Sequence, residues 1–358
     1  MTTSDDADLP QRWPNRVTAP RRSPVWRPPE DIADLFPEVS GNTINGLGER
    51  TQRSPSLIMW ANPASIAHGA VQTHMTEEFL AHPELSTVLR VDDRHSPVPV
   101  SDQVVERAPE EWAEAVRTFA LHDGPLTVEL CGIAAIDRSW FFADRATDHT
   151  YVIVLGIAMD HQALSTAPAP TSAMEVHRQY NRGTSAARHL ADWIRAQGHR
   201  AEGHGGPGAG PLLMVPAAIA AGLGELGKHG SLINPELGSS FRLSVVLTDL
   251  PLVADRPIDN GADEFCHGCR VCAEACPPAA ISHTEQLVRG RTRWYVDVDR
   301  CLPYFAASHG CGICIAVCPW STPGEGWRIS TAVLDRRRRR NSARATADTS
   351  SAGDQQHP

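Results

Sequence analysis

The sequence predicts an α+β protein, a mixed layer of helices and strands followed by a small cysteine-rich module. Three observations carry that prediction. Cysteines crowd into two runs near the C-terminus, Cys266-x-x-Cys269-x-x-Cys272-x-x-x-Cys276-Pro277 and, after a solitary Cys301, Cys311-x-x-Cys314-x-x-x-Cys318-Pro319; these hold eight of the nine cysteines. Helical segments alternate with short apolar runs between residues 109 and 255, the pattern of helices layered on a sheet. Ahead of that layer, prolines at 37, 55, 63, 83, 97 and 99 interrupt every candidate element.

In chain order, residues 1–30 are rich in Pro, Arg and Asp and read as disordered, and residues 31–108 as irregular. Pro109-Glu110-Glu111 opens an amphipathic helix running to Ala120, with its acids at the positive end of the helix dipole. Residues 127–136 alternate as a strand, and the apolar run 151–157 suits a buried one. Residues 184–197 form a helix with Ala187, Leu190, Ala191 and Ile194 on one face, stopped by Gly198. Residues 243–247 are a further strand. The core is thus expected over 109–255, the cysteine module over 256–328 and a basic disordered tail over 329–358. Five consecutive arginines at 336–340 read either as a solvated end or as an electrostatic handle for an acidic electron donor.

Two-residue gaps let successive thiolates from one tight loop reach adjacent corners of a cubane, while the fourth cysteine, before a chain-turning proline, reaches the neighbouring cluster. The expected cofactors are two [4Fe-4S] clusters, one held by Cys266, Cys269, Cys272 and Cys318, the other by Cys301, Cys311, Cys314 and Cys276. Structural zinc is the alternative, but zinc ribbons use paired thiolates and have no use for triplets ending in Cys-Pro. A disulfide framework needs wider spacing and an exported chain.

Composition narrows the setting. Net charge of −9 argues against general nucleic-acid affinity. The longest apolar stretch, residues 151–159, is too short to span a bilayer. Arg21-Arg22 has no apolar region behind it for a translocase. A cytoplasmic protein without membrane or nucleic-acid partners is expected.

The segment Gly222-Leu223-Gly224-Glu225-Leu226-Gly227-Lys228 fits the first seven positions of a nucleotide-binding P-loop. His229 stands where the magnesium-binding Ser or Thr is needed, and residues 216–221 look helical rather than strand-like. No Gly-x-Gly-x-x-Gly follows a strand, so a dinucleotide site is unsupported too. A plain glycine-rich turn stays open.

Together with Leu232-Ile233-Asn234-Pro235, with Thr248-Asp249-Leu250-Pro251 and with the cysteine runs ending in Cys318-Pro319-Trp320, this segment resembles the cobalamin-dependent reductive dehalogenases and their relatives the epoxyqueuosine reductases. The resemblance covers roughly residues 109 to 325. It implies a nitroreductase-like core holding cobalamin and a ferredoxin-like domain that feeds it electrons. Epoxyqueuosine reductases carry an acid in an Asp-x-x-Pro where this chain has Gly208-Ala209-Gly210-Pro211, and a tryptophan at the position of Glu225. The dehalogenase branch is therefore the closer match.

That branch implies replacement of a carbon-bound halogen by hydrogen on a small halogenated organic substrate, with electrons from an external ferredoxin or flavoprotein. Its proton donor corresponds to Tyr180, and its cationic partner, from the glycine-rich turn, to Lys228. Met214, Leu232 and Asn234 fall near the corrin by the same resemblance. His204 opens a glycine-rich stretch that serves either as a corrin edge or as a plain loop. No Asp-x-His-x-x-Gly occurs, which fits a base-off cobalamin without a protein ligand below the cobalt. Cys131 reads as an inert buried thiol. An epoxyqueuosine reductase-like enzyme and a ferredoxin-type electron carrier remain the alternatives, and cobalt content separates the second from the rest.

Overall fold

The computed structural model describes residues 24–89, 95–206 and 210–353, with side chains described through residue 344. Its strands, in chain order, are β1 Leu130–Ala135, β2 Tyr151–Ala158, β3 Ala201–His204, β4 Glu225–Leu226, β5 Leu232–Ile233, β6 Phe241–Thr248, β7 Gln286–Val288 and β8 Arg291–Arg293. Four of them form an antiparallel sheet in the order β1-β2-β6-β3. Because side chains alternate along a strand, each strand serves two cores. Ile153, Leu155 and Ile157 of β2, with Val246 of β6, face the helices Pro109–Thr118 and Pro170–Ala196. Val152 and Val154, with Val245 and Leu247, face the short helix Met214–Ala220. The apolar run of β2 reflects burial on both faces.

The long helix Pro170–Ala196 begins well before the expected residue 184, with proline in its first turn. Its second half buries Ala186, Ala187, Leu190, Ala191 and Ile194 against the sheet. Its first half carries His177, Arg178, Gln179, Tyr180 and Arg182, whose polarity masks the helical period. β3 replaces part of a stretch read as loop and closes the sheet edge through pairs such as His204 with Val245.

Two domain expectations change and a third lies mostly outside the described residues. Residues 31–108 are not irregular throughout: the helix Gly69–Ala81 buries Val71, Met75 and Phe79, and Pro63 and Pro83 flank it rather than break it. The basic tail is helical, Glu325–Gly353, not disordered. Its first turns bury Ile329 and Val333 beside Cys266, Cys318 and Trp320, and Arg337 and Arg340 pair with Glu264 while Arg337 also reaches Asp259. The disorder expected at the N-terminus falls mostly on residues 1–23, outside the described residues.

The cysteine module is built on the helices Ala262–Gly268, Val271–Ala275 and Val298–Ala307 and the β7-β8 hairpin. The N-terminal segment straps it: Asn42 Oδ1 accepts from the Tyr295 hydroxyl and the Val298 N–H, both at 2.8 Å, and Gly48 N–H donates to Leu287 O at 2.7 Å. Among the described residues no helix is long and apolar enough to cross a membrane.

Candidate active site and cluster sites

Cys266 lies in the helix Ala262–Gly268, Cys269 follows it, and Cys272 sits in the next helix. These three and Cys318 line one pocket with Lys228, His229, Phe265 and Trp320. The remaining thiols form a second group: Cys301 lies within electrostatic reach of Cys314, Cys276 and Cys311, and Cys314 of Cys311 and Cys276. Cys272 and Cys314 adjoin, so the groups share a wall. Burial pushes the Cys266 and Cys314 thiols up to about 12. Unliganded they would be protonated at neutral pH; bound iron would take them as thiolates, releasing protons on binding. Among the described residues no three His, Cys, Asp or Glu side chains converge on a single-ion site. Zinc would draw four thiolates to about 2.3 Å from one ion, whereas quartets of soft sulfur spread around a pocket suit a polynuclear cluster.

Cys311 is presented by an unusual backbone. His309, Gly310, Cys311 and Gly312 are consecutively left-handed, at φ 50°, 90°, 47° and 85°. Glycine accepts this freely, whereas His309 and Cys311 each carry a penalty of about 1–2 kcal/mol. The bend is held by Gly310 N–H to Phe305 O at 2.9 Å and Cys311 N–H to Ser308 O at 3.1 Å. It delivers His309 and Cys311 to the wall of a second pocket.

That pocket is lined by Tyr180 and His177 from the long helix, Arg242 from β6, Trp60, Met75 and Phe79 from the N-terminal segment, and Phe305, His309 and Cys311 from the cysteine module. Arg242 stands opposite Ile157 in the β2-β6 register and therefore points toward the long helix. Its guanidinium carbon lies 5.3 Å from the Tyr180 ring centroid, a cation–π contact. Ser240, Arg242 and Ser244 are alternate residues on this face, and the Oγ of both serines and the Nε of Arg242 are buried without a partner. Unpaired buried polar atoms cost free energy, so this stripe has hydrogen-bonding capacity left over, of which Arg242 lines the pocket. His177 Nδ1 lies 2.9 Å from Ala173 O, and burial lowers its pKa, leaving a neutral ring beside Phe79 and Tyr180.

The sequence expectation paired Tyr180 with Lys228, and the structure does not bring the two together. Lys228 does not line the Tyr180 pocket; it is buried against the first cysteine group, its Nζ donating to Cys269 O at 2.6 Å and lying 4.8 Å from the Trp294 ring centroid. The turn from Gly222 winds too tightly to project it elsewhere: a Cβ on Gly224 would stand 2.2 Å from Ile233 O. Glu225 Oε2 accepts from Asn260 N–H at 3.0 Å and Ala262 N–H at 2.8 Å, fastening the turn to the first cluster helix. Nor does the structure gather the expected corrin contacts around Tyr180. Met214 and Leu232 pack on the opposite face of the sheet, and His204, paired with Val245, shares that face. Asn234 spends its amide on its own turn, donating to Leu223 O and accepting from Glu236 and Leu237 N–H. The Gly208 comparison lies outside the described residues. Burial raises the Cys131 thiol to about 12, as an inert thiol requires.

Residues 265–322 match the family model for the 4Fe-4S dicluster domain. The tetrachloroethene reductive dehalogenase of Sulfurospirillum multivorans is 38% identical over 201 residues, covering 51% of this chain and 39% of that protein. The trichloroethene reductive dehalogenase of Dehalococcoides mccartyi is 34% identical over 182 residues, 48% of this chain and 30% of its own. The chain is a reductive dehalogenase homologue. It spans well under half the length of these relatives. The homologue is also related to epoxyqueuosine reductase of Synechococcus, 30% identical over 213 residues, 52% of this chain and 62% of that one. The solved structure of the catabolic reductive dehalogenase NpRdhA matches 88% of the homologue and 49% of itself with a TM-score of 0.67 at 24% identity, so the fold is shared.

Proposed function

We propose that this homologue is a corrinoid iron–sulfur reductive dehalogenase, which uses two electrons and a proton to convert a carbon–halogen bond of a small organic substrate into carbon–hydrogen and free halide. One observation carries the reading: a tyrosine under a guanidinium shares its pocket with Cys311, a cysteine of the second group. A proton donor and an electron port in one cavity suit reductive protonation and have no use in a simple electron carrier.

The eight cysteines would bind the clusters in the two groups described, electrons arriving from an external ferredoxin or flavoprotein at the Cys266 group and leaving through the Cys276 group. The unpaired polar stripe of Ser240, Arg242 and Ser244 fits a ligand with a polar, amide-bearing rim, and these residues would hold the edge of a base-off cobalamin. When bound, cobalamin supplies a low-valent cobalt able to reduce the carbon–halogen bond. The chain supplies the rest. Trp60, Met75, Phe79 and Phe305 wall the pocket with apolar and aromatic surface that excludes water. Tyr180 donates its hydroxyl proton to the carbon as halide departs. Arg242, over the ring, stabilises the phenolate that remains. His177 is neutral and therefore serves as wall rather than acid. Residues 109–255 and 256–328 remain the proposed division between core and cluster domain.

Protein prepared anaerobically with cobalamin is expected to hold about eight irons, eight sulfides and one cobalt, and to release halide from a member of a panel of halogenated phenols, benzoates and alkanes. Full iron without cobalt would make it an electron carrier. Turnover of epoxyqueuosine in tRNA without halide release would move it to the other branch.

A further inference from the structure

Lys228 is among the most buried side chains in the molecule, 1% exposed, yet no carboxylate of the described residues forms an ion pair with it. Asp263, an acid on the cluster helix, accepts from Trp294 Nε1 at 2.8 Å and faces His267 at 3.7 Å. A cation taken out of water without an anion is strongly unfavourable. Lys228 answers part of that cost by donating to Cys269 O and by standing over Trp294. What lies across from it is sulfur: its own N–H points at Cys266 Sγ, 3.5 Å away, and Lys228 shares the pocket with Cys266, Cys269, Cys272 and Cys318. A [4Fe-4S] cluster with four thiolates is a dianion that becomes a trianion on one-electron reduction, so it is the missing counter-ion.

We infer that Lys228 is the fixed counter-charge of the cluster in the Cys266 group, and that it raises that cluster's reduction potential by stabilising the reduced, more negative state. The lysine of the P-loop-like motif thus serves an anion after all, an iron–sulfur cluster instead of a phosphate. Its glycines explain why. Gly224 and Gly227 leave room for the turn to close on Ile233, which a Cβ at either position would strike, and Glu225 ties the turn to the helix that carries Cys266. The cation is therefore held at a set distance from the sulfurs by two independent anchors. Charge and hydrogen bonding near a cluster are established levers on its potential.

The inference rests on the two-cluster reading, and the experiment separates the two. Full-length protein carrying both clusters is titrated potentiometrically under anaerobic conditions, with each cluster followed by electron paramagnetic resonance, in the parent and in Lys228→Met, Lys228→Gln and Lys228→Arg. One cluster in the Met and Gln variants should become harder to reduce, its reduced-to-oxidised ratio at fixed potential falling at least tenfold, or about 59 mV for a one-electron couple. The other cluster should hold its midpoint, and Lys228→Arg should stay near the parent. Gln keeps a donor for Cys269 O and covers the case in which Met fails to fold. Unchanged midpoints in both neutral variants with full iron would overturn the inference, and so would cluster loss in all three variants alike, since that marks a packing role. A parent without two cluster signals would instead overturn the reading beneath it.

Discussion

Tyr180 and Arg242 differ in what their removal takes away. Tyr180→Phe deletes the hydroxyl and leaves the ring that fills the pocket, so iron and cobalt content should stay at parental levels while halide release falls by about 10²- to 10⁴-fold, the usual worth of a positioned general acid. Arg242→Met should slow turnover as well, and the double variant should drop little below the worse single one, because residues acting as a unit are strongly non-additive. A fully loaded Tyr180→Phe enzyme within about threefold of the parent would place the acid elsewhere. Tyr180 was singled out by the family resemblance, and the structure sets it on a pocket wall beside Arg242. Arg242 could have been found too: Ser240, Arg242 and Ser244 alternate with Phe241, Leu243 and Val245, a period of two that marks a strand with one polar face. Lys228 misled because its place depends on how a glycine-rich turn folds, which residue spacing does not encode.

Among the elements, the turn holding β4 is fastened to the cluster domain. Glu225 binds two N–H groups at the start of the helix Ala262–Gly268 in the manner of an N-cap. Glu225→Ala should therefore lower stability by about 1–2 kcal/mol, whereas Glu225→Gln, which keeps an acceptor oxygen, should lose much less. Chemical denaturation of both variants measures this; equal losses would show that the carboxylate acts by charge and not as a cap. The strands β1, β2 and β6 and the helix from Pro109 were legible because each is a local pattern, the helix by its amphipathic period and β2 by an apolar run buried on both faces. Elements whose partners lie far away in the chain were not. The helix Gly69–Ala81 has almost no amphipathic pattern because its buried residues include Gly69 and the polar Gln72 as well as Val71, Met75 and Phe79. The C-terminal helix reads as solvated from its arginines, yet Ile329 and Val333 beneath them seat it on the cluster domain.

On the scale of the whole molecule, the Tyr180 pocket belongs to no single part. The core contributes Tyr180 and Arg242, the cluster domain Phe305 and Cys311, and the N-terminal segment Trp60, Met75 and Phe79. The strap that keeps the segment in place is polar. Asn42 gathers the Tyr295 hydroxyl, the Val298 N–H and the Asp297 carboxylate, while Asp299 accepts the Gly41 N–H at 2.6 Å. Asn42→Ala leaves those partners without their bonds, at a cost of about 1–3 kcal/mol for each buried donor stranded. That loss falls on the join between parts and leaves the thiols untouched. The variant should therefore keep its iron, yet be cut faster by protease within residues 24–89 and show a raised KM, because three pocket walls are held by that strap. Asn42→Asp, which retains the acceptor oxygen but loses the amide donor to Asp297 and meets Asp297 and Asp299 with a charge of its own, should do no better, since like charges would then crowd one site. Parental protease resistance and KM in Asn42→Ala would mean that Met75 and Phe79, packed on Leu302 and Ala306, secure the segment without the strap.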